Sequence, residues 1–464
     1  MLAARAAAQS PTAAPSPAPP LLPPDDRYKA DLLLIVAHPD DDVMVGGYLA
    51  RLVLDQHKRV AVIYTTSGDG GGNAVGNEAG PALGQVRILE ARHALGSLGI
   101  ENVWFLGFHD TPGQNPLRSL DHWNHGLALD EIVRLVRLTR PPVILTWLPC
   151  SVAGENHGDH QASGILATEA FDAAADPTRF PEQISPPRDR TGMNNLTEGL
   201  LPWQPQKLYF FSDAFEVFSP YWHDPAVLPT FRKSLIDGAG PSYDTTTVSP
   251  SRHVSYAQLE AGQQAFYSTQ EGALGDQAIA TKNFKDFEYP IPLILGKTIV
   301  PASATGDVFE GVSPSPVRFA PAQGFGLHPD PPDSLRFRIG DPWSFYTQFW
   351  FAHNLQQLVG AMPEPELGAG FGDKLSIPIQ ACNDLSDPVE FAVTSALPAG
   401  WTDQTPFTRY PVRPGECYPI LAQVSSPASG GKGWRQLTWT ATAGQRRMTA
   451  QLRVYMGGSG GLPQ

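Results

Sequence analysis

The sequence predicts an α/β fold, a Rossmann-like and mostly parallel sheet with flanking helices, followed by an all-β sandwich domain. Three observations carry this. Apolar runs of strand length alternate with helical patterns through the first part of the chain. Polar, chemistry-bearing clusters follow directly on two of those runs, where open α/β sheets place their ligands. From about Glu366 the texture changes to short alternating stretches separated by turns.

Taken in order, residues 1–27 form a Pro- and Ala-rich N-terminal segment, read as a poorly ordered linker. A strand at 31–37 holds the run Leu32-Leu33-Leu34-Ile35-Val36, which suits burial on both faces. A helix from Val43 to about Gln56 follows, then a strand at 60–65 and the glycine-rich loop Gly68–Gly72. A helix from about Leu83 to Leu98 precedes a strand at 103–106, and a helix over 127–139 ends at Pro141-Pro142. The strand 143–147 leads to a helix from about His160 to Ala175. Beyond it, Pro181 to Leu201 reads as loop, 207–211 as a strand and Ser255 to about Gln270 as a helix. The expected layout is a first domain over 28–310, a connecting region over 311–365 with one helix near 343–358, and a β-sandwich over 366–464.

With 464 residues the chain is long enough for two or three domains. A net charge of −13 argues against nucleic acid or an anionic membrane as partner. No apolar run approaches the ~18 residues of a membrane span. Three cysteines are too few for a disulfide framework or a structural zinc site. Cys382 and Cys417 fall in the β-like region and could pair in an exported protein; two buried thiols are as compatible with the pattern. Ala6-Ala7-Ala8 is the small-residue pattern of a signal-peptide cleavage site, although no apolar segment precedes it. The sequence favours an exported protein and leaves a cytoplasmic one open. It does not give the oligomeric state.

The chemistry sits in two clusters. His38-Pro39-Asp40-Asp41-Asp42 follows the first strand, and Glu155-Asn156-His157-Gly158-Asp159-His160 follows the strand 143–147. One imidazole and one carboxylate three residues apart suit Zn²⁺, with room for a third protein ligand and water. A turn in which one aspartate caps a helix is the simpler reading of the first cluster alone. The second cluster, with its His-x-x-His, favours a mononuclear metal hydrolase.

Together these motifs resemble the PIG-L/LmbE family of metal-dependent N-acetylglucosaminyl deacetylases. The likeness also takes in Thr65-Thr66-Ser67-Gly68-Asp69, Arg87-Ile88-Leu89-Glu90-Ala91 and Leu95-Gly96-Ser97-Leu98-Gly99, and covers roughly residues 28–275. It implies His38, Asp41 and His160 as metal ligands, with Zn²⁺ or another divalent metal such as Fe²⁺. It implies Asp40 as general base, His157 facing the developing oxyanion and leaving amine, and Asp159 orienting that imidazole. The substrate would be an N-acetylated sugar or glycoconjugate. Two departures stand out. Asp42 replaces the usual Glu and, being shorter, must hold its partner more closely. Gly158 replaces Pro and is expected to loosen the loop before His160. Arg87, in the family's Arg-x-x-Glu, and Asp42 are candidate substrate contacts; an Arg87–Glu90 pair that only fixes the helix is equally compatible. The Gly68–Gly72 loop is a poor dinucleotide fingerprint.

Several residues keep blander readings. His109, Asp110, His122, Trp123 and His125 either line a cleft or are exposed loop residues without a role. Cys150 is not needed as a nucleophile. Trp401 and Trp439 read as sandwich core. The β region loosely resembles immunoglobulin-like modules of secreted carbohydrate-active enzymes. That keeps two alternatives in view: a carbohydrate-binding protein with a vestigial metal site, and a deacylase acting on a non-sugar N-acyl compound.

Overall fold

A computed structural model describes residues 26–150, 157–185, 199–212, 238–313, 334–361 and 365–457. The N-terminal segment, Glu155, Asn156 and most of the 181–201 loop lie outside the described residues.

The first domain is built on a six-stranded sheet in the order β3-β2-β1-β4-β5-β8. Its strands are β1 (Leu32–Val36), β2 (Val60–Thr66), β3 (Asn102–Phe108), β4 (Val143–Trp147), β5 (Lys207–Phe211) and β8 (Ile294–Thr298). The first five pair in parallel, and β8 closes the edge antiparallel to β5. A small ribbon of β6 (Ser242–Asp244) and β7 (Pro290–Pro292) lies between β5 and β8 in sequence.

Strand β1 shows why the sheet is covered on both sides. Its five residues are all buried, and they alternate between two cores. Leu33 and Ile35 join one core. That side holds α3 (Pro116–His122), α4 (His125–Thr139) and α5 (Gly158–Ala173). Leu32, Leu34 and Val36 join the other, with α1 (Gly46–Ala50) and α2 (Pro81–Leu98). Helix α1 continues a 3₁₀ turn at Asp41–Val45 and runs into a π turn at Arg51–Asp55. The short α6 (Pro181–Ile184) is followed later by α7 (Tyr256–Gln264) and α8 (Gly272–Thr281).

The C-terminal domain is a two-sheet β structure. Strands β10 (Glu366–Ala369), β17 (Arg446–Met456), β16 (Gly433–Ala443), β12 (Val389–Ala396) and β14 (Arg409–Val412) form one sheet. Strands β13 (Thr402–Asp403), β15 (Glu416–Ser425), β11 (Lys374–Asn383) and β9 (Leu335–Ile339) form the other. Inward residues of both make one core, including Trp401 and Trp439. Cys382 and Cys417 stand directly opposite on β11 and β15 and are joined as a disulfide.

The connecting region carries structure of its own. Strand β9 pairs with β11 and buries Phe337 and Ile339 in the sandwich core. The next helix, α9 (Pro342–Ala352), buries Tyr346, Phe349 and Trp350 in the core of the first domain. The chain thus passes from one core to the other between adjacent elements. Among the described residues no helix is long and apolar enough to cross a membrane.

Trp439 is 1% exposed at the centre of the sandwich. Trp439→Ala should cost about 3–5 kcal/mol of that domain's stability, the usual result of removing a buried indole. Hydrogen exchange of the β16 and β17 amides measures it; wild-type protection in the variant would show that the core is not packed around this ring.

Candidate metal centre

Both clusters leave the carboxyl edges of adjacent strands, β1 and β4, and meet there. The ligand-type atoms of His38, Asp41 and His160 all lie within 4.8 Å of one another. His160 Nε2 is 3.1 Å from both His38 Nδ1 and Asp41 Oδ1, and the third side, His38 Nδ1 to Asp41 Oδ1, is 3.6 Å. Donors bound at ordinary Zn–N and Zn–O lengths in a tetrahedron lie about 3.3 Å apart. Two imidazole nitrogens and a carboxylate oxygen at this spacing therefore fit a divalent ion such as Zn²⁺.

Asp41 is 4% exposed, and its two oxygens have separate duties. Oδ2 accepts from the backbone N–H of Ala37 at 2.8 Å and of His38 at 3.0 Å, and from the Trp147 indole at 2.7 Å. Oδ1 is left facing the two histidines. Burial works against the charge, but His160 and His38 outweigh it and hold the carboxyl well below the usual range. Trp147 also stacks on His160, with rings 4.3 Å apart and 9° from parallel. Helix α5 can approach β4 this closely because Gly164 has no side chain: a Cβ there would lie 2.3 Å from Trp147 O.

The other edge of His38 faces Asp159, whose Oδ2 is 3.3 Å from Nε2. Asp159 is fully buried and also accepts from the Thr111 N–H at 2.8 Å. The sequence reading had Asp159 orienting His157. The structure sets it closer to His38, since His157 Nδ1 is 3.7 Å away. A carboxylate behind a ligating histidine fixes its tautomer and raises its basicity. Burial disfavours a charged His38, but Asp159, Asp41 and Asp110 prevail and raise its pKa well above the ordinary range. His157 is the opposite case: burial, then the neighbouring His38, lower its pKa to about 3, so its imidazole is neutral. Its Nδ1 accepts from the Asp159 N–H at 3.4 Å, which places the ring proton on Nε2.

Asp40 sits at φ 122°, a region that side-chain-bearing residues rarely adopt, and such strain concentrates at functional sites. The Gln270 amide donates to its Oδ2. Burial, then the adjacent Asp41, raise its pKa well above the ordinary carboxylate value.

Two expected substrate contacts are corrected. Asp42 is wholly buried. Tyr64 and Tyr267 each donate to its Oδ1 at 2.6 Å, and Gln263 donates to Oδ2. This is the closely held partner set that the shorter side chain requires, and it leaves no approach for a ligand. Arg87, 6% exposed, donates to the carbonyls of Gly68 and Gly72 at 2.8 Å each and so braces the glycine-rich loop. Glu90 turns to Thr269, accepting from its N–H at 2.9 Å and its hydroxyl at 2.7 Å.

Gly158 does not loosen its loop. Its N–H donates to Gly113 O at 2.8 Å, and a Cβ there would lie 3.0 Å from Asn115 O and 3.1 Å from Gly113 O. Proline at this position would lose the bond and collide with the same backbone.

Of the residues expected in one long loop, His122 instead ends α3 and His125 opens α4, while Asp110 Oδ1 lies 3.8 Å from His38 Nε2. Asp69 pairs with His109 Nδ1 at 2.5 Å and accepts the Asp110 N–H at 3.0 Å. Trp123 is buried and donates to His109 O, His122 is exposed, and His125 pairs with Glu169 away from the centre. Cys150 is buried, which pushes its thiol pKa up and makes it a poor nucleophile. Trp147 and Gln270 went unread as site residues. Trp147 carried a signal, its place at the end of β4 just before the second motif; Gln270 had none, lying far along the chain from Asp40.

Residues 33–171 match the family described as "PIG-L: GlcNAc-PI de-N-acetylase", and the chain carries a PIG-L family domain there. The chain is 33% identical over 168 residues to a 1D-myo-inositol 2-acetamido-2-deoxy-alpha-D-glucopyranoside deacetylase of Geodermatophilus obscurus, covering 32% of this chain and 56% of that protein. It is 31% identical over 163 residues to a mycothiol S-conjugate amidase of Streptomyces coelicolor, covering 32% of this chain and 55% of that one. The chain thus spans about half the length of the curated relatives it matches. Among solved structures, it resembles the N,N'-diacetylchitobiose deacetylase of Pyrococcus horikoshii, with TM-score 0.33 and 17% identity over 62% of this chain and 89% of that one.

Gly158→Ala should destabilise the protein by roughly 1–3 kcal/mol, as overpacking against rigid backbone does. A thermal midpoint unchanged from wild type would show that the 113–115 loop yields. Trp147→Phe keeps the stacking and deletes the indole N–H. It should weaken Zn²⁺ binding about 10–100-fold, as loss of an outer-shell partner does; chelator competition measures it, and wild-type affinity would contradict the role given to this bond.

Proposed function

We propose that this chain is a zinc-dependent N-deacetylase that removes the acetyl group from an N-acetylated sugar or glycoconjugate. The observation that carries the reading is the triangle of His38 Nδ1, Asp41 Oδ1 and His160 Nε2 with Asp40 beside it. These three residues would hold a divalent ion, which would supply the Lewis acidity to polarise an amide carbonyl and acidify water.

The residues around it divide the remaining work. Asp40 takes the proton of the attacking water on Oδ1, since Gln270 engages Oδ2. Its raised pKa makes its anion a stronger proton acceptor than an ordinary carboxylate. His157 presents Nε2–H, as a neutral hydrogen-bond donor, to the oxyanion, and the proton that Asp40 took from water passes to the departing nitrogen as the C–N bond breaks. Asp159 acts on the centre through His38. Asp69, His109 and Asp110 form the polar wall beside His38 and would meet sugar hydroxyls.

The sugar rests on what the relatives are named for and on the motif resemblance, because fold does not fix substrate. The relative named as an amidase favours a second reading, hydrolysis of a larger N-acyl conjugate. The complete donor set argues against a vestigial site. An exported location fits the Cys382–Cys417 disulfide, which persists in oxidising compartments.

Acetate release from a panel of N-acetyl sugars, with Zn²⁺ added or chelated, tests the activity. No release from any of them would remove the sugar reading. Within an active protein, Asp40→Asn should keep bound metal and lose about 10²–10⁴-fold in rate, the worth of general-base assistance. Asp41→Asn should lose metal, because it removes the anionic ligand. The reverse pattern in metal analysis would invert the two roles.

A further inference from the structure

Helix α9 lies outside the stretch that matches the family, yet its residues reach three segments around the second motif. The Trp350 indole donates to Pro149 O at 2.9 Å, on the approach from β4 to His157. The Tyr346 hydroxyl donates to Gln161 Oε1 at 2.7 Å, and Gln161 follows His160 directly. Asp341 Oδ2, at the start of α9, accepts from Asn115 Nδ2 at 2.8 Å. Asn115 belongs to the loop whose Gly113 O holds the Gly158 N–H and whose Thr111 N–H holds Asp159.

Tyr346 and Trp350 are both fully buried. Asp341 sits at φ 55°, strained for a residue with a side chain. Immediately before it, β9 is anchored in the sandwich core through Phe337 and Ile339. The helix is thus fixed at one end by the sandwich and along its length by the first domain. Among the described residues it makes no hydrogen bond to the three metal-site side chains, but it bonds what precedes, follows and faces His157–His160.

We propose that α9 positions the second metal motif, with Asp341 and Tyr346 as its positioning residues. The proposal rests on the reading of His38, Asp41 and His160 as a metal site. Its physical basis is tolerance: a working metal site holds its ligands to within about 0.5 Å, and it does so through the shell behind them. His160 stands in the first turn of α5, where a helix has the fewest internal hydrogen bonds. Tyr346 holds the Gln161 side chain within that turn, and Asp341 holds Asn115 in the loop whose Gly113 carbonyl accepts the Gly158 N–H.

The test uses the full chain and measures Zn²⁺ affinity at 25 °C by competition with a chromophoric chelator, alongside circular dichroism and the thermal midpoint. Tyr346→Phe removes one hydroxyl and should weaken Zn²⁺ binding about tenfold, the low end for partners behind a metal ligand, with the folded spectrum retained. Asp341→Gly removes the carboxylate without adding strain at positive φ and should do the same. Asp341→Asn keeps an acceptor for Asn115 and should bind Zn²⁺ like wild type. A merely structural role would lower the thermal midpoint and leave the affinity of the folded protein alone. Wild-type affinity in folded Tyr346→Phe and Asp341→Gly would therefore overturn the proposal. If Tyr346→Phe does not fold, the Asp341 pair decides by the same criterion. If the wild-type chain itself binds no Zn²⁺, the metal-site reading falls and takes this proposal with it, whereas wild-type binding with unmoved variants removes this proposal alone.

Discussion

The Asp41 carboxylate is the constraint around which the site is organised. A buried anion is tolerated only when its oxygens are satisfied. Here the satisfaction comes from three directions. The end of β1 offers two backbone N–H groups, the end of β4 offers the Trp147 indole, and α5 offers His160. Neighbouring parallel strands and the helix that follows the second are thereby tied to one side chain. The register of β1 against β4 brings the two strand ends level, so the carboxylate can reach both. The absence of a side chain at Gly164 lets α5 close over them.

Three consecutive aspartates could not share one environment without strong mutual repulsion. The backbone separates them. The positive φ at Asp40 turns its side chain to Gln270, Asp41 goes to the histidines, and Asp42 goes down to Tyr64, Tyr267 and Gln263. Burial raises the pKa of Asp40, while His160 and His38 lower that of Asp41 against burial. Adjacent carboxylates pushed apart in this way can take different jobs, one accepting a proton and one remaining an anion. The strain at Asp40 is the structural counterpart of that division.

The motifs made the meeting of His38, Asp41 and His160 legible, because a buried strand followed by polar residues marks the ligand edge of an α/β sheet. The strand–helix order was legible for the same reason, down to the proline stop after α4. What escaped was whatever depended on distant residues. Asp42 and Arg87 have the chemistry of substrate contacts; only the fold shows Asp42 spent on two tyrosines and Arg87 spent on two carbonyls. Gly158 looked like added freedom and is a close approach, because the loop it meets lies more than forty residues earlier in the chain. Strand β9 alternates as Leu335-Arg336-Phe337-Arg338-Ile339, but nothing local distinguishes it from the connecting region around it.

The family match ends at residue 171, but the site does not. The matched stretch supplies every atom proposed to bind metal or move a proton. Residues beyond it set how those atoms are held: Gln263 and Tyr267 under Asp42, Gln270 on Asp40, Thr269 on Glu90, and α9 around the second motif. Chemistry and scaffold are thus supplied by two segments of the chain. In this chain the second segment also carries the sandwich, joined to α9 through β9. The C-terminal domain is therefore not a module on a flexible tether. It is anchored one helix away from the second motif, through β9 in the sandwich core and α9 in the core of the first domain.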